Sequence, residues 1–380
     1  MDIGVPLEIA NEERRVALTP AAIHRLVQGG HRVWVERSAG LASRITDEDY
    51  VKAGARLAYD REEVYNRADM LLKVASPLPE EYELLHEEQI LMCFLMLAVA
   101  PPQAFRSLAD RKVAAIAMEM IEDDLGRAPV LEAVSEIAGP MSIHVAAHLL
   151  QSESGGRGIL LGGAPGIPPA TVVILGAGVV GTTAARAAIG NGAQVLVLDN
   201  DLTRLRRVHD LFAPRARTWM ADEYETARAV QFADVLIGGV RIWGDRAPHL
   251  VTETMVRSMK HGSVILDVSI DLGGCVETSR PTTLAQPTYL LHNVVHYAVP
   301  NMTSSVARTA TRALSNARMP YVLELAGRGL SGACAENAAL LRGLVAAHGE
   351  CLHPTIAERF GVACADARRV LSEGVADGCS

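Results

Sequence analysis

The stretch Thr171-Val172-Val173-Ile174-Leu175-Gly176-Ala177-Gly178-Val179-Val180-Gly181 constrains this chain more than any other. Five apolar or β-branched residues run into glycines at first, third and sixth place, the spacing of a strand, a tight turn and a helix start that hold a dinucleotide. Gly176 turns the chain out of the strand, Gly178 lets backbone approach a pyrophosphate, and Gly181 lets the helix pack on the sheet. The following helix directs its positive end at the phosphates. A second strand, Gln194 to Leu198, ends in Asp199. A carboxylate there accepts hydrogen bonds from a ribose 2′-hydroxyl and repels a 2′-phosphate, which favours NAD over NADP. The bland alternative is an ordinary strand–turn–helix whose small residues serve packing.

With 380 residues the chain is long for one core, and two domains are expected. A net charge of −8 with no basic tract argues against a nucleic-acid partner. The six cysteines are scattered without a CxxC pair, so neither a disulfide framework nor a zinc site is expected, and no metal. The longest apolar run, Ile90 to Ala100, is too short for a membrane span. The chain starts on a strand-like segment with no basic leader. These features predict a soluble cytoplasmic protein.

In chain order, strands are expected at Ile3 to Pro6, Arg32 to Glu36, Met70 to Val74, Ile90 to Leu95 and Val113 to Ile121. Thr19-Pro20 is a helix start, cap followed by first-turn proline, and the helix stops at Gly29-Gly30. A long helix is expected from about Ala133 to Gln151, and turns along the glycine-rich segment from Gly155 to Gly166. Strands follow at Gln194 to Leu198, Val235 to Gly238, Ser263 to Ile270 and, shorter, Tyr289 to His292. Thr309 to Leu325 reads as helix, and so does an Ala-rich tail from about Gly329. The alternation predicts an α/β protein of two Rossmann-like domains with mainly parallel sheets, joined by long helices around a cleft. The expected divisions are residues 1–130 for the first part of a substrate domain, 131–305 for the NAD-binding domain, and 306–380 for a helical part returning to the first.

Several blocks are more specific than periodicity: Glu13-Arg14-Arg15-Val16-Ala17-Leu18-Thr19-Pro20, Gly155-Gly156-Arg157-Gly158, Asp267-Val268-Ser269-Ile270-Asp271-Leu272-Gly273-Gly274-Cys275, Ser279-Arg280-Pro281-Thr282-Thr283 and Pro300-Asn301-Met302. Together with the fingerprint they resemble the alanine dehydrogenases and the soluble nucleotide-binding part of the proton-pumping transhydrogenases, from Ile3 to about Ala326. The alanine dehydrogenase branch fits better. The resemblance implies a nicotinamide cofactor across the second domain and an amino or keto acid in the cleft. It implies that Arg15 grips a substrate carboxylate and that Asp271 handles protons. On the cofactor side it implies Ser135, Gly176, Gly178, Val179, Val180, Gly181, Asp199, Arg204, Gly239, Val240, Asn301 and Met302. It also implies a homo-oligomer, hexamer or dimer.

Two catalytic positions depart from that pattern. Where the family reads Lys-Val-Lys-Glu-Pro, this chain reads Lys73-Val74-Ala75-Ser76-Pro77, so the active lysine is Ala75. Where it reads Phe-Leu-His-Leu-Ala, this chain reads Phe94-Leu95-Met96-Leu97-Ala98, so the histidine is Met96. Lys73 is a candidate substitute or a purely structural lysine; it shares a strand face with Ala75, about 6–7 Å away. Arg241, after the strand ending at Gly238, is either a relocated carboxylate clamp or a surface arginine packed on Trp243. His296 is either a cleft group or a neutral structural one.

The reading that follows is an NAD-dependent oxidoreductase acting at the C–N bond of an amino acid or N-substituted amino acid, and not ordinary alanine deamination. Arg15, Asp271, Arg241 and Lys73 are its candidate catalytic residues. The alternatives are an NAD-retaining lyase or cyclase that uses transient oxidation, and a non-catalytic NAD-binding regulator.

Overall fold

The computed structural model describes residues 1–242 and 244–377. Fifteen strands occur among them: β1 (Asp2–Val5), β2 (Arg32–Glu36), β3 (Arg56–Ala58), β4 (Met70–Ala75), β5 (Ile90–Phe94), β6 (Ala114–Ala117), β7 (Thr171–Leu175), β8 (Gln194–Asp199), β9 (Ala216–Met220), β10 (Val235–Gly238), β11 (Val264–Asp267), β12 (Thr288–Leu291), β13 (Val294–Tyr297), β14 (Leu344–Ala347) and β15 (Glu350–Cys351). They form two sheets, each in its own compact unit: Met1–Val134 with Ser304–Ser380, and Ser135–Thr303. The fold is α/β with mostly parallel sheets, as the alternating pattern predicts.

In the first unit the strand order is β15-β14-β6-β5-β4-β1-β2-β3. Strands β1 to β6 run parallel to one another. From β1 the chain builds outward through β2 and β3, then returns and builds the other way from β4. Ligands bind outside the carboxyl ends of strands at such a reversal. In the second unit the order β12-β13-β11-β10-β7-β8-β9 reverses in the same way between β7 and β10. Strands buried on both faces, such as Leu71, Leu72 and Val74 of β4 and Val172, Val173 and Ile174 of β7, explain the near-continuous apolar runs.

The start of the helix Pro20–Gln28 follows its sequence signal: the Thr19 side chain accepts from Ala22 N–H and Pro20 occupies the first turn. The helix Pro129–Leu149 packs closely on the helix Val179–Gly190, since a Cβ at Gly139 would lie 2.1 Å from Thr183 Oγ1.

Some expectations change. Residues 344–351 are not part of a helical tail. The helix Ala307–Glu336 breaks at Gly329 (φ 70°), and β14 then pairs antiparallel with β6. Leu344-Val345-Ala346-Ala347 is wholly buried, and His348 and Gly349 both take positive φ, the geometry of a two-residue hairpin turn. His292 and Asn293 make the same kind of turn between β12 and β13, so the short strand expected near Tyr289 is half of a hairpin. The strands expected over 113–121 and 263–270 stop early, at 3₁₀ turns Met118–Met120 and Val268–Leu272. The second stop has a visible cause. Asp267 accepts backbone N–H bonds from Ser269, Cys275 and Val276, which curls the chain off the sheet.

Candidate functional site

The fingerprint loop lies at the carboxyl end of β7, beside the turn Gly239–Val240 that leaves β10. Gly176 has φ 98°, and a Cβ on it would meet the Gly239 carbonyl oxygen at 2.4 Å. A Cβ on Gly181 would meet the Gly176 carbonyl oxygen at 1.8 Å. Both glycines are therefore required by the chain itself. Gly178 is different, because a Cβ there would touch nothing within 4 Å. It faces open space at the N-terminus of the helix Val179–Gly190, which is the cradle a pyrophosphate fits. Val179 and Val180 form the first helical residues and are part-exposed.

Asp199 ends β8 and is 6% exposed. Its carboxylate accepts from Ala177 N–H (2.7 Å) and Asp201 N–H (2.8 Å), which ties the acid to the glycine loop. An ionised carboxylate has about four lone-pair sites, so acceptor capacity remains for ribose hydroxyls. Arg204 lies 4.0 Å from Asp199 and 3.5 Å from Asp201, half-exposed at the edge of this cluster. Val240 is held at both backbone atoms by Ser269 Oγ, 2.9 Å each. Asn301, at φ 47°, donates its N–H to Asp271 Oδ1 (3.0 Å), and Met302 beside it is buried. Ser135 sits part-exposed on the helix Pro129–Leu149. The residues present thus fit an NAD molecule on one test the chain provides: the one fingerprint glycine it does not need for its own packing is the one a phosphate would need.

In the first unit, charged side chains gather at the carboxyl ends of β1 and β4. Arg15 follows β1 and is 6% exposed; Glu13 holds its Nε (2.8 Å) and Nη2 (2.6 Å) in a bidentate pair. Lys73 is fully buried on β4, with its ammonium 3.1 Å from Glu8 and 2.7 Å from Glu81. Burial works to lower the Lys73 pKa, but the two carboxylates outweigh it and raise it. Burial pushes the Glu8 carboxyl above its ordinary value, against the pull of Lys73. The pairing of β4 with β5 shifts register between Leu72 and Ala75. The backbone groups freed there are met by side chains: Glu8 accepts Val74 N–H, and Arg318 Nη2 donates to the Lys73 carbonyl (3.0 Å). Ala75 pairs in register with Phe94, the last residue of β5, and Met96 follows two residues later. Met96 has φ 48°, and its N–H is held by Glu119 at 2.7 Å.

For Lys73 the geometry supports the structural alternative, because its ammonium is committed to two buried carboxylates. His296 is also structural. It is fully buried, stacked on Tyr289 at 4.9 Å, and bonded to Thr278 Oγ1 and the Val294 carbonyl. Burial holds its pKa below the ordinary value. Arg241 is part-exposed beside Val240; its expected partner Trp243 lies outside the described residues.

Sequence reasoning missed Glu8, Glu81 and above all Arg318. One signal was available. Thr311, Ser315 and Arg318 recur at i, i+4 and i+7 on the helix Ala307–Glu336, a polar stripe where an apolar one is normal. All three are buried and bond backbone: Thr311 takes Val16 N–H, Ser315 takes Thr19 N–H, and Arg318 gives to Lys73.

Comparison with known proteins bears on the whole chain. The family model described as alanine dehydrogenase/PNT, N-terminal domain, matches residues 4–138, and its C-terminal counterpart matches 142–354. An alanine dehydrogenase of Methanococcus maripaludis is 46% identical over 374 residues, covering 98% of this chain and 100% of that protein. An alanine dehydrogenase of Bacillus subtilis is 46% identical, covering 98% of each. A solved L-alanine dehydrogenase superposes with a TM-score of 0.88 at 44% identity, over 95% of this chain and 99% of that one.

Proposed function

Because the chain belongs to the alanine dehydrogenase/PNT family, we propose that it is an amino-acid dehydrogenase whose substrate is other than plain alanine. It is an NAD-dependent oxidoreductase of the alanine dehydrogenase type. A bound nicotinamide would supply the hydride-accepting chemistry at the carbon of a C–N bond. In this reading Arg15 takes the substrate carboxylate through a guanidinium already oriented by Glu13. Asp271, steadied by Asn301 N–H, handles a proton. Asp199 and the Gly176–Gly181 loop hold NAD, with Ser135, Arg204, Gly239, Val240, Asn301 and Met302 beside them. Arg241 reads a second acidic group.

The observation that carries the departure from alanine is the pair Ala75 and Met96. Ala75 ends β4 and Met96 follows the end of the neighbouring β5, two uncharged side chains at positions where the resemblance implies a lysine and a histidine. Releasing ammonia from alanine requires carbinolamine formation and collapse, each with proton transfers, and a missing acid/base group costs a factor of ~10²–10⁴. A substrate whose imine is not hydrolysed in the site, such as an N-substituted amino acid, tolerates that loss.

The test is NADH absorbance growth when purified protein meets NAD and a panel of amino and N-alkyl amino acids, with the Bacillus subtilis relative assayed alongside. Turnover of a panel member, with alanine at least ~10²-fold slower than in the relative, is the expected result. Alanine oxidation at a rate comparable to the relative's would refute it.

No helix among the described residues is long and apolar enough to cross a membrane. A cytoplasmic setting suits Cys93, Cys275, Cys334 and Cys351, all buried free thiols. Self-association suits the outer strand β12, where Leu290 is 63% exposed.

A further inference from the structure

Arg318 buries a charge with few partners. It is fully buried, yet a guanidinium has five N–H donors and this one makes a single hydrogen bond, to the Lys73 carbonyl. Its Nε and Nη1 meet no acceptor among the described residues. The nearby carboxylates are already committed. Glu8 and Glu81 share the Lys73 ammonium, and Glu13 is bidentate to Arg15. Burial pushes the Arg318 pKa down to about 10, and the Arg15 charge pushes the same way against Glu8 and Cys93. The group stays protonated at neutral pH. An unpaired buried charge is among the least tolerated arrangements in a protein interior. Here it is placed where the strand order reverses, at the carboxyl ends of β1 and β4, the position where open α/β sheets bind ligands.

We propose that Arg318 is a substrate-binding residue, its unpartnered Nε–H and Nη1–H donors offering hydrogen bonds to a carboxylate of the substrate alongside Arg15, with Ala75 and Met96 as the uncharged, partly exposed flank through which the acceptor arrives. This rests on the dehydrogenase reading for the identity of the substrate, but not for the carboxylate site itself. The Nη2 bond to the Lys73 carbonyl fixes the guanidinium, so that its remaining donors are presented without further loss of side-chain freedom. Ala75 matters because a long side chain there would compete for the same anion. Glu8 completes the arrangement by holding Val74 N–H, which keeps the shifted segment of β4 in place.

The experiment uses the full chain and four probes: oxalate, pyruvate and 2-oxoglutarate as carboxylates, and pyruvamide as a neutral match for pyruvate. Affinity is read by calorimetric titration, with NADH present and absent. Wild type is expected to bind at least one carboxylate and to prefer pyruvate or a longer acid to the amide. Arg318→Gln is expected to lose about tenfold to a hundredfold in carboxylate affinity, with little change for the amide. Arg318→Lys should fall between them. The selectivity of carboxylate over amide separates binding from a purely structural role, since a distorted site loses both ligands together. If Arg318→Gln fails to fold, the same selectivity is read from Arg318→Lys, which retains the charge. Unchanged carboxylate selectivity in the variants overturns the inference, as does a wild-type chain that binds none of the carboxylates. NADH and carboxylate binding without turnover of any amino acid would sink the dehydrogenase reading alone.

Discussion

Two glycines three residues apart respond in opposite ways to the same added methyl group. At Gly181 a Cβ would lie 1.8 Å from the Gly176 carbonyl oxygen and 3.2 Å from Ile174 Cγ2. Ordinary contact needs the turn and the helix Val179–Gly190 to separate by about 1 Å or more, and overpacking of this kind costs ~1–3 kcal/mol or above. At Gly178 the backbone has φ −72° and ψ −162°, open to any L-residue, and no neighbour lies within 4 Å of the new atom. Gly178→Ala should therefore change stability by no more than about 1 kcal/mol, the scale of an N-cap substitution. Its effect falls on the cofactor. A methyl group in the cradle pushes the pyrophosphate off backbone N–H groups, and one charge-assisted hydrogen bond is worth about 1.5–3 kcal/mol, roughly ten- to 150-fold in affinity. Urea unfolding and NADH fluorescence titration of both variants separate the two effects. The expected pattern is a stable Gly178→Ala with weak NADH binding and a Gly181→Ala that unfolds at distinctly lower urea. Wild-type NADH affinity in Gly178→Ala would show that the phosphates lie elsewhere, and wild-type stability in Gly181→Ala would show that the turn gives way cheaply.

Three further outcomes follow from other contacts. Lys73→Met leaves Glu8 and Glu81 buried without their cation and should cost about 3–5 kcal/mol in urea unfolding; a change under about 1 kcal/mol would refute the triad's role. His296 has a folded pKa below its unfolded value, so its contribution to stability is present above about pH 6.5 and lost as the pH falls through the lower folded value. Unfolding midpoints measured from about pH 7.5 to pH 5 should fall more steeply in wild type than in His296→Gln, by up to about 1.4 kcal/mol per pH unit, and parallel profiles would refute the assignment. Asp199→Asn keeps an acceptor for Ala177 N–H but removes the charge, so NAD should bind about tenfold more weakly while discrimination against NADP narrows; an unchanged NAD-to-NADP affinity ratio would count against Asp199 as the ribose acid.

The nucleotide half was legible because its signals are local. Gly176, Gly181 and Asp199 act within a strand, a turn and the next strand, so their order along the chain is already their arrangement in space. The parallel α/β class followed from the same alternation, and the Thr19-Pro20 helix start from a cap that needs only its own first turn. Errors arose where short apolar segments lacked length to choose between helix and strand. Leu344 to Ala347 became β14 because β6 offered an edge in need of a partner.

The substrate half depended on residues far apart in sequence. Lys73 is one ordinary lysine until Glu8 and Glu81 close on it, and its fate turned on a register shift in β4 that no periodicity announces. Arg318 lies 245 residues from the carbonyl it contacts, inside a segment read only as helix. Short-range order along the chain could name the cofactor and the fold class, since backbone geometry and turn chemistry are nearest-neighbour properties. Which charges are buried, paired or left with open donors is settled only when distant segments share one dry interior, where electrostatics and desolvation act through space.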